Sequence, residues 1–305
     1  MLSILIPVYN YNVFTLVETL YKQCLKSNIT FEIICLDDAS GNFLPENQKI
    51  NEFKNSKYSI LEKNIGRSAI RNLLAQKATY ENLLFLDADT IPVTDNFISN
   101  YISQINQDSK IVYGGILYES SKPSKEKLLR WIYGQKRESL NVSDRNKNPY
   151  LSFLTLNFLI KKSLFSKVNF NENIPNLRHE DTLFSFELMQ NKIEIIHIEN
   201  PVYHLGIENS DVFLRKSEES VVALKNLVDS KLISSEYVKL PHYFEIIKKY
   251  HFQAIIAFGF RILKPLFLRR LLGKKPSLFI FDLYRLGYYC TLDEFFKIDS
   301  NRFFH

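Results

Sequence analysis

Three apolar runs near the start of the chain restrict its fold more than any other feature. "LSILIPVY" (2–9), "FEIICLDDAS" (31–40) and "NLLFLDADT" (82–90) each read as a buried strand, and the last two end in acids. Between them lie "FTLVETLYKQCLK" (14–26), an amphipathic helix pattern, and "NIGRSAIRNLLAQKA" (64–78), a turn running into a helix. Strands alternating with helices over roughly a hundred residues call for βαβ units and a mainly parallel sheet. In such sheets ligands bind outside the carboxyl ends of the strands, near a switch in strand order. Two strands that end independently in carboxylates, Asp37-Asp38 and Asp87/Asp89, suit a site along that edge.

The "DAD" step is the sharpest of these. Side chains two apart on a strand share a face, so Asp87 and Asp89 repel unless water, a helix end or a cation offsets them. Read alone, Asp89 and Thr90 equally begin a polar turn before Pro92. Hard oxygen ligands suit Mg²⁺ or Mn²⁺, and Mg²⁺ typically takes one or two protein carboxylates with phosphate oxygens for the rest. Glycine is scarce, with 9 residues, and neither G-x-G-x-x-G nor a P-loop string occurs, so dinucleotide and Walker-type readings lack their main warrant. The 305 residues, 46% hydrophobic and 24% charged, are ordinary for a folded chain of one large domain or one domain plus an appendage. Three scattered cysteines, Cys24, Cys35 and Cys290, point to a reducing compartment without a disulfide framework.

Further along, "KIVYGGILYES" (110–120) predicts a strand, "KEKLLRWIYGQKRESL" (125–140) a helix and "LSFLTLNFLIKKSLF" (151–165) a strand entering a helix. "HEDTLFSFELMQNK" (179–192) predicts a helix whose first turn holds Glu180 and Asp181, where its dipole favours negative charge. One or two strands follow in "IEIIHIENPVYHLG" (193–206), and residues 212–235 read as a polar-faced helix. Arg67 and Arg71 lie one helical turn apart, hence on one face. They suit base edges, ribose or phosphate, or equally surface ion pairs. Trp131, the sole tryptophan, fits core packing as well as stacking on an acceptor sugar.

The tail changes character. Residues 251–289 are rich in Phe, Leu and Ile with Arg and Lys interspersed. That composition suits either a helix lying in a membrane interface, its bases near anionic head groups, or a helical hairpin packed on the preceding domain.

Assembled in order, the strings "IPVYN" (6–10), "LDDAS" (36–40), "NIGRSAIRN" (64–72), "LDADT" (86–90), "NFLIKKSLF" (157–165) and "HEDTLF" (179–184) resemble the family-two inverting glycosyltransferases of the bacterial surface-polysaccharide type. The resemblance covers about residues 1 to 205. It implies a GT-A fold, a Rossmann-like, mainly parallel mixed sheet flanked by helices, here followed by a helical C-terminal region. It implies that Asp89 ligates Mg²⁺ or Mn²⁺, joined by His204. Asp87 would reach the ribose or the metal shell, and Ala88 would line the donor site between them. Asp38 would accept the uracil N3–H, with Tyr9 stacked on the base and Pro7 beside it. Arg67 and Arg71 would contact the nucleotide, and Asn157 would shape the donor-sugar pocket. Asp181 would be the general base, with Glu180 holding the acceptor and His179 in support. Two departures are visible. Asn171, in "FNENIP", stands where the family more often has Asp, and Arg178 precedes "HED" where Gly is common.

The expected activity is therefore metal-dependent, inverting transfer from a nucleotide-sugar, a UDP-sugar foremost, to a glycan or lipid-linked acceptor. The expected division is a catalytic domain over 1–210 and a helical region over 211–305. Two rivals are a nucleotidyltransferase, which would begin with a glycine-rich loop and a basic residue where "IPVYNYN" stands, and an inactive binding protein on the same fold. Nucleic acid is not an expected partner, because the bases form no readout motif. "MLSILIPVYN" carries neither a basic n-region nor a small-residue cleavage site. The expected location is cytoplasmic, peripheral to the inner face of the cell membrane.

Overall fold

The computed structural model describes residues 1–42, 44–105, 110–174 and 178–302, with residues 293–302 by backbone alone. Its strands are β1 Leu2–Val8, β2 Phe31–Asp37, β3 Ser56–Ile60, β4 Asn82–Leu86, β5 Thr90–Pro92, β6 Lys110–Tyr113, β7 Ile116–Leu117, β8 Asn157–Lys161, β9 Glu194–His197 and β10 Val202–His204. The helices are α1 Phe14–Lys26, α2 Pro45–Gln48, α3 Arg67–Lys77, α4 Phe97–Ile102, α5 Leu128–Tyr133, α6 Val142–Arg145, α7 Lys162–Phe165, α8 Glu180–Gln190, α9 Ser210–Asp229, α10 Lys239–Lys249, α11 Gln253–Leu271 and α12 Leu278–Arg302. The chain forms two compact units. The first comprises Met1–Glu119, Arg137–Asn176 and Glu180–Gly206; the second comprises Ser120–Lys136, Leu177–His179 and the chain from Ile207 onward.

The first unit holds a seven-stranded sheet in the order β3-β2-β1-β4-β8-β6-β9 and a three-stranded sheet, β5-β10-β7. In the large sheet β8 alone runs against its neighbours β4 and β6; the other pairings are parallel. Strand order runs outward from β1 through β2 to β3, then resumes at β4 on the other side of β1. That reversal marks where a doubly wound sheet opens a crevice.

Side-chain alternation sorts the apolar runs onto the two faces. Leu2, Ile4, Ile6 and Val8 of β1 join Ile33, Cys35, Leu84 and Leu86 under α1 and α4. Leu5 joins Ile34, Leu36, Leu83 and Phe85 on the face covered by α3 and α8. Strands buried on both faces read as near-continuous apolar runs, and the buried polar exception in β1, Ser3, donates its hydroxyl to Glu32 of β2 at 2.6 Å. An aromatic cluster fills the second face, with Phe85 stacked on Phe158 at 4.9 Å and Phe170 on Phe184 at 4.3 Å. Each such ring, fully buried, stabilises the fold by about 2–3 kcal/mol.

Two expected elements are divided. The strand foreseen over 110–120 is β6 and β7, which belong to different sheets. The chain bends at Gly114-Gly115, where Gly115 has φ +96° and a Cβ on Gly114 would lie 2.2 Å from the Asn200 carbonyl oxygen. The helix foreseen over 125–140 is a 3₁₀ turn at Lys125–Lys127, then α5, then a π-helical turn at Gly134–Glu138.

In the second unit, α5, α9, α11 and α12 surround a small core of Leu129, Leu214, Phe260, Leu271, Phe281 and Tyr284. A second cluster joins Val221, Phe244, Ala257 and Tyr289. The three cysteines are buried and form no disulfide with one another, and burial pushes the Cys24 thiol up to about 12.

Candidate active site

The acids follow the alternation that sorts the core. Asp37 continues the Ile33–Cys35 face of β2. It is spent structurally, accepting from the Tyr58 hydroxyl at 2.6 Å and the Ser40 N–H at 2.7 Å. Asp38 continues the opposite face, toward α3. The N–H groups of Ile65 and Gly66 donate to its two carboxylate oxygens at 2.7 and 3.0 Å. Asp38 thereby fixes the turn that launches α3, with Gly66 at φ 88° as the residue before the helix. Each carboxylate oxygen keeps a second lone pair, so the group retains acceptor capacity for a base N–H. Tyr9, just past the end of β1, is 57% exposed, and its ring is available for stacking.

The α3 helix carries Arg67 and Arg71 on one face. Arg71 is buried at 5% exposure. Its Nη2 meets Asp87 Oδ1 at 2.7 Å and its Nη1 meets Glu180 Oε1 at 3.6 Å. Arg67, largely exposed, approaches the same Glu180 oxygen at 3.6 Å. A buried guanidinium requires such partners. Burial works to lower the Arg71 pKa, but the Asp87 and Glu180 carboxylates outweigh it and leave the group raised. Burial also raises Asp87, opposed by Arg71 and assisted by Asp89. The surface ion-pair alternative for Arg71 is therefore excluded by its burial.

Asp89 lies beyond the turn that follows β4. The Leu205 N–H donates to its carbonyl oxygen at 2.8 Å, and His204 Nε2 sits 3.3 Å from its Oδ2. His204 is held at the end of β10, which pairs with β5 so that His204 faces Thr90. Its Nδ1 is buried without a hydrogen-bond partner. Of the three candidate metal ligands, Asp89 and His204 are together, whereas Asp87 is turned to Arg71. Among the described residues no group of three His, Cys, Asp or Glu side chains forms a complete metal cage. One carboxylate with phosphate oxygens for the remaining ligands is the usual economy for Mg²⁺, and the imidazole of His204 adds a nitrogen donor that a transition-metal ion such as Mn²⁺ accepts more readily than Mg²⁺ does.

Asp181 opens α8 beside Glu180. The Thr182 N–H donates to its Oδ1 at 2.7 Å. Burial, and next the Glu180 charge, push its pKa up to about 6 against the pull of the Thr182 N–H, Arg71 and Arg67. The result is a carboxylate more basic than usual that is still ionised at neutral pH.

Asn157 occupies a different position from the one foreseen for a pocket-lining residue. It is fully buried at 0% exposure. Its Nδ2 donates to the carbonyls of Gly115 and Asn200 at 2.9 and 3.0 Å, and its Oδ1 accepts from the Tyr101 hydroxyl at 2.7 Å. With its amide fully used, it clamps the start of β8 opposite Leu86, the last residue of β4. It supports the acids from behind. Pro7, half-buried, pairs with Leu36 across β1 and β2, and Ala88 is half-buried between the two acids. His179 takes φ 71°, and its Nε2 is 2.8 Å from the Ser220 hydroxyl within the second unit. Arg178 pairs there with Glu219 at 3.7 Å. Asn171 and Glu172 of "FNENIP" are described, and the Glu172 carboxylate accepts from Asn72 at 2.6 Å; Pro175 of that string lies outside the described residues.

Three residues at this site were not singled out from the sequence. A Cβ on Gly206 would lie 2.7 Å from Asp89 Oδ2, so the chain approaches Asp89 there because the residue is glycine. Tyr11 feels the Asp89 charge; burial and then that charge raise its pKa. Arg145, buried over the Tyr113 ring, donates to the Ile198 carbonyl at 2.7 Å and packs against Gly115. Only Gly206 left a signal, a scarce glycine two residues after His204.

Residues 3–169 match the model of glycosyl transferase family 2. An uncharacterized glycosyltransferase of Haemophilus influenzae is 24% identical over 193 residues, which span 62% of this chain and 72% of that protein. Among solved structures, a Pyrobaculum calidifontis mannosyltransferase in complex with GDP-Man and Mn²⁺ superposes with TM-score 0.53 at 14% identity. That match covers 75% of this chain and 64% of the mannosyltransferase, just under two thirds of its length. S. aureus TarS 1-349 in complex with UDP-GlcNAc superposes with TM-score 0.52 at 19% identity, over 98% of this chain and 92% of that one. These likenesses establish the fold, and the GT-A expectation is borne out.

Proposed function

The chain belongs to glycosyl transferase family 2, and from that premise we propose that it moves a sugar from a UDP-sugar to a hydroxyl of a glycan or lipid-linked acceptor, with a divalent cation and with inversion. The observation that carries this reading is the buried guanidinium of Arg71, which meets both Asp87 of the D-x-D pair and Glu180 beside Asp181. It ties the donor-side acid to the acceptor-side base candidate. Family membership sets nucleotidyl transfer aside.

Asp89 and His204 would hold Mg²⁺ or Mn²⁺, which when bound offsets charge developing on the departing diphosphate. Tyr9 stacks on the uracil and Asp38 accepts its N3–H. Arg67, extended at the start of α3, suits the ribose or a phosphate. Asp181 takes the proton of the acceptor hydroxyl as that oxygen attacks the anomeric carbon from the side opposite the leaving group, which inverts the configuration. Its raised pKa strengthens it as a base while keeping it deprotonated near neutrality. That the two structural neighbours hold nucleotide-sugars, one with Mn²⁺, is in keeping with this donor class.

The test is a thermal-shift screen of nucleotide-sugars with and without Mn²⁺, since a ligand specific to the native state raises the melting point. UDP-sugars should stabilise the protein only with the cation, and Asp89→Asn should abolish that stabilisation. Manganese-supported binding that survives Asp89→Asn would refute the metal role, and a product of retained anomeric configuration by NMR would refute inversion.

A further inference from the structure

Helix α11 is apolar on its outward row as well as its inward one. A helix at a protein surface turns apolar side chains inward and polar ones to water. In α11 the outward positions Ile255, Phe258, Ile262 and Leu266 recur every three or four residues and are 64%, 63%, 61% and 60% exposed. The inward side is apolar too, with Ala257, Phe260 and Leu271 buried in the cores of the second unit. Two bases lie in mid-helix: Arg261, exposed beside the row, whose long stem lets its guanidinium reach up to the level of lipid phosphates, and Lys264, which is drawn to Glu218 at 2.9 Å and lies over the rings of Phe260 and Tyr284. From α12, Phe279 at 68% exposure adds to the apolar surface. The outer row extends about 16 Å at the α-helical rise. Surface apolar residues scattered singly need no explanation, but a continuous row marks an interaction site.

Charge identifies what the row meets. Between Glu245 and Asp282 the chain has no acidic residue. Exposed bases stand at both ends of the row, Lys248 and Lys249 before α11 and Arg269, Arg270, Lys274 and Lys275 at and beyond its end. Exposed aromatics, Tyr250 and Phe252, occupy the turn into α11. An apolar strip bracketed by cations and aromatic rings, without a compensating acid, matches a surface that is apolar beneath and anionic above. Insertion across a membrane does not suit it. Among the described residues no single helix is long and apolar enough to span, and α10 with α11, which together reach that length, are bent by 118°.

We propose that the outer face of α11, with Phe279 of α12, docks in the plane of an anionic lipid bilayer. Its hydrophobic row enters the acyl boundary and the flanking bases lie among the phosphates. This surface is defined within the second unit and does not depend on the catalytic assignment.

The experiment is co-sedimentation of the full chain with vesicles of phosphatidylglycerol mixed with phosphatidylcholine, against phosphatidylcholine alone. Binding should require the anionic lipid and weaken with salt. Ile262→Glu should lower partitioning by about ten- to hundredfold, the share carried by one fully buried side chain of that size. Arg269→Ala combined with Arg270→Ala should lower it roughly twenty- to thirtyfold, at about fivefold per base. All these positions are exposed, so circular dichroism and melting temperature should match the unmodified protein, separating lost docking from lost folding. Equal binding to neutral and anionic vesicles, or anionic binding untouched by both variants, overturns the proposal. So does sedimentation equilibrium showing self-association that Ile262→Glu abolishes while vesicles stay unbound, which would assign the face to a second copy of the chain.

Discussion

Replacing Asp181 by asparagine removes a charge that the fold holds at a cost. In the native state burial and the Glu180 carboxylate lift the Asp181 pKa from 3.8 to about 6, a difference of about two units and, at 1.36 kcal/mol each, roughly 2–3 kcal/mol. The native pKa lies above the unfolded one, so between pH 3.8 and about 6 the native state binds more protons than the unfolded state. Stability therefore falls as pH rises through that window and stays lower above it. Asparagine is neutral throughout and can still accept the Thr182 N–H. In metal-free protein, calorimetry at pH 7.5 should find Asp181→Asn melting higher, by about 4–12 °C for a unit of this size. Near pH 4 the two proteins should melt together. Turnover should move the other way, falling by about 10²–10⁴ with the loss of a general base, while UDP-sugar affinity holds. The acid limb of the unmodified enzyme, rising through about pH 6, should vanish with the carboxylate. A melting difference independent of pH, or a variant less stable at neutral pH, would refute the reasoning about desolvation. Near-normal turnover would remove Asp181 as the base.

Other outcomes rest on close contacts around the acids. Gly206→Ala places a methyl group 2.7 Å from Asp89 Oδ2; displacing that carboxylate should raise the Mn²⁺ concentration needed for half-maximal transfer at least about tenfold, one bond's worth of free energy. Isothermal titration of UDP with varied Mn²⁺ reads this directly, and unchanged dependence would show Asp89 lies outside the cation site. Asn157→Ala removes a partner from the Tyr101 hydroxyl, which keeps the residue 157 carbonyl, from the Gly115 carbonyl, which keeps the Val202 N–H, and from the Asn200 carbonyl. At about 1–3 kcal/mol for a buried group left unsatisfied, urea unfolding should show a loss of roughly 1–3 kcal/mol. In protein that stays folded the KM for donor should change little, and a donor-specific rise in KM without loss of stability would return Asn157 to the pocket.

Much of this arrangement was legible because local chemistry and global topology agree. The apolar runs of β1, β2 and β4 are buried on both faces, and such strands announce themselves without alternation. The acids that terminate them sit at the strand ends, where the chain leaves the core and carboxylates can reach water or a ligand. The Arg67–Arg71 spacing was readable as a shared face, but that Arg71 is buried was not, since burial depends on α8 bringing Glu180 over it. Asn157 was misplaced for a related reason. Its partners Tyr101, Gly115 and Asn200 are brought in by α4, the β6–β7 bend and the segment before β10, and a single polar residue opening a strand does not declare which way it faces. The long strand and the long helix foreseen after residue 110 divide at Gly114-Gly115 and at Gly134, where tertiary packing rather than propensity sets the bend.

The alternation of β-strand side chains also decides which acids are free for chemistry. Asp37 and Asp38 are adjacent and chemically identical, yet they lie on opposite faces of β2. The face toward α1 supplies Tyr58 and the chain turn at Ser40, and Asp37 becomes a fastener. The face toward α3 supplies backbone N–H groups at a helix start, and Asp38 anchors that turn while keeping lone pairs for a further donor. Asp87 shares the α3 face with Leu83 and Phe85, which is why it meets Arg71. Asp89 has left the strand altogether and is positioned by β10 through His204 and Leu205. The two acids of "DAD" thus answer to different elements, one fixed by the large sheet and its helix, the other by the small sheet. A one-residue slip of β4 against β1 would turn Asp87 toward α1 and leave Arg71 buried without its closest partner. The register of that central pair, Leu2 to Asn82 through Leu5 to Phe85, is therefore as much a condition of the proposed chemistry as any carboxylate in it.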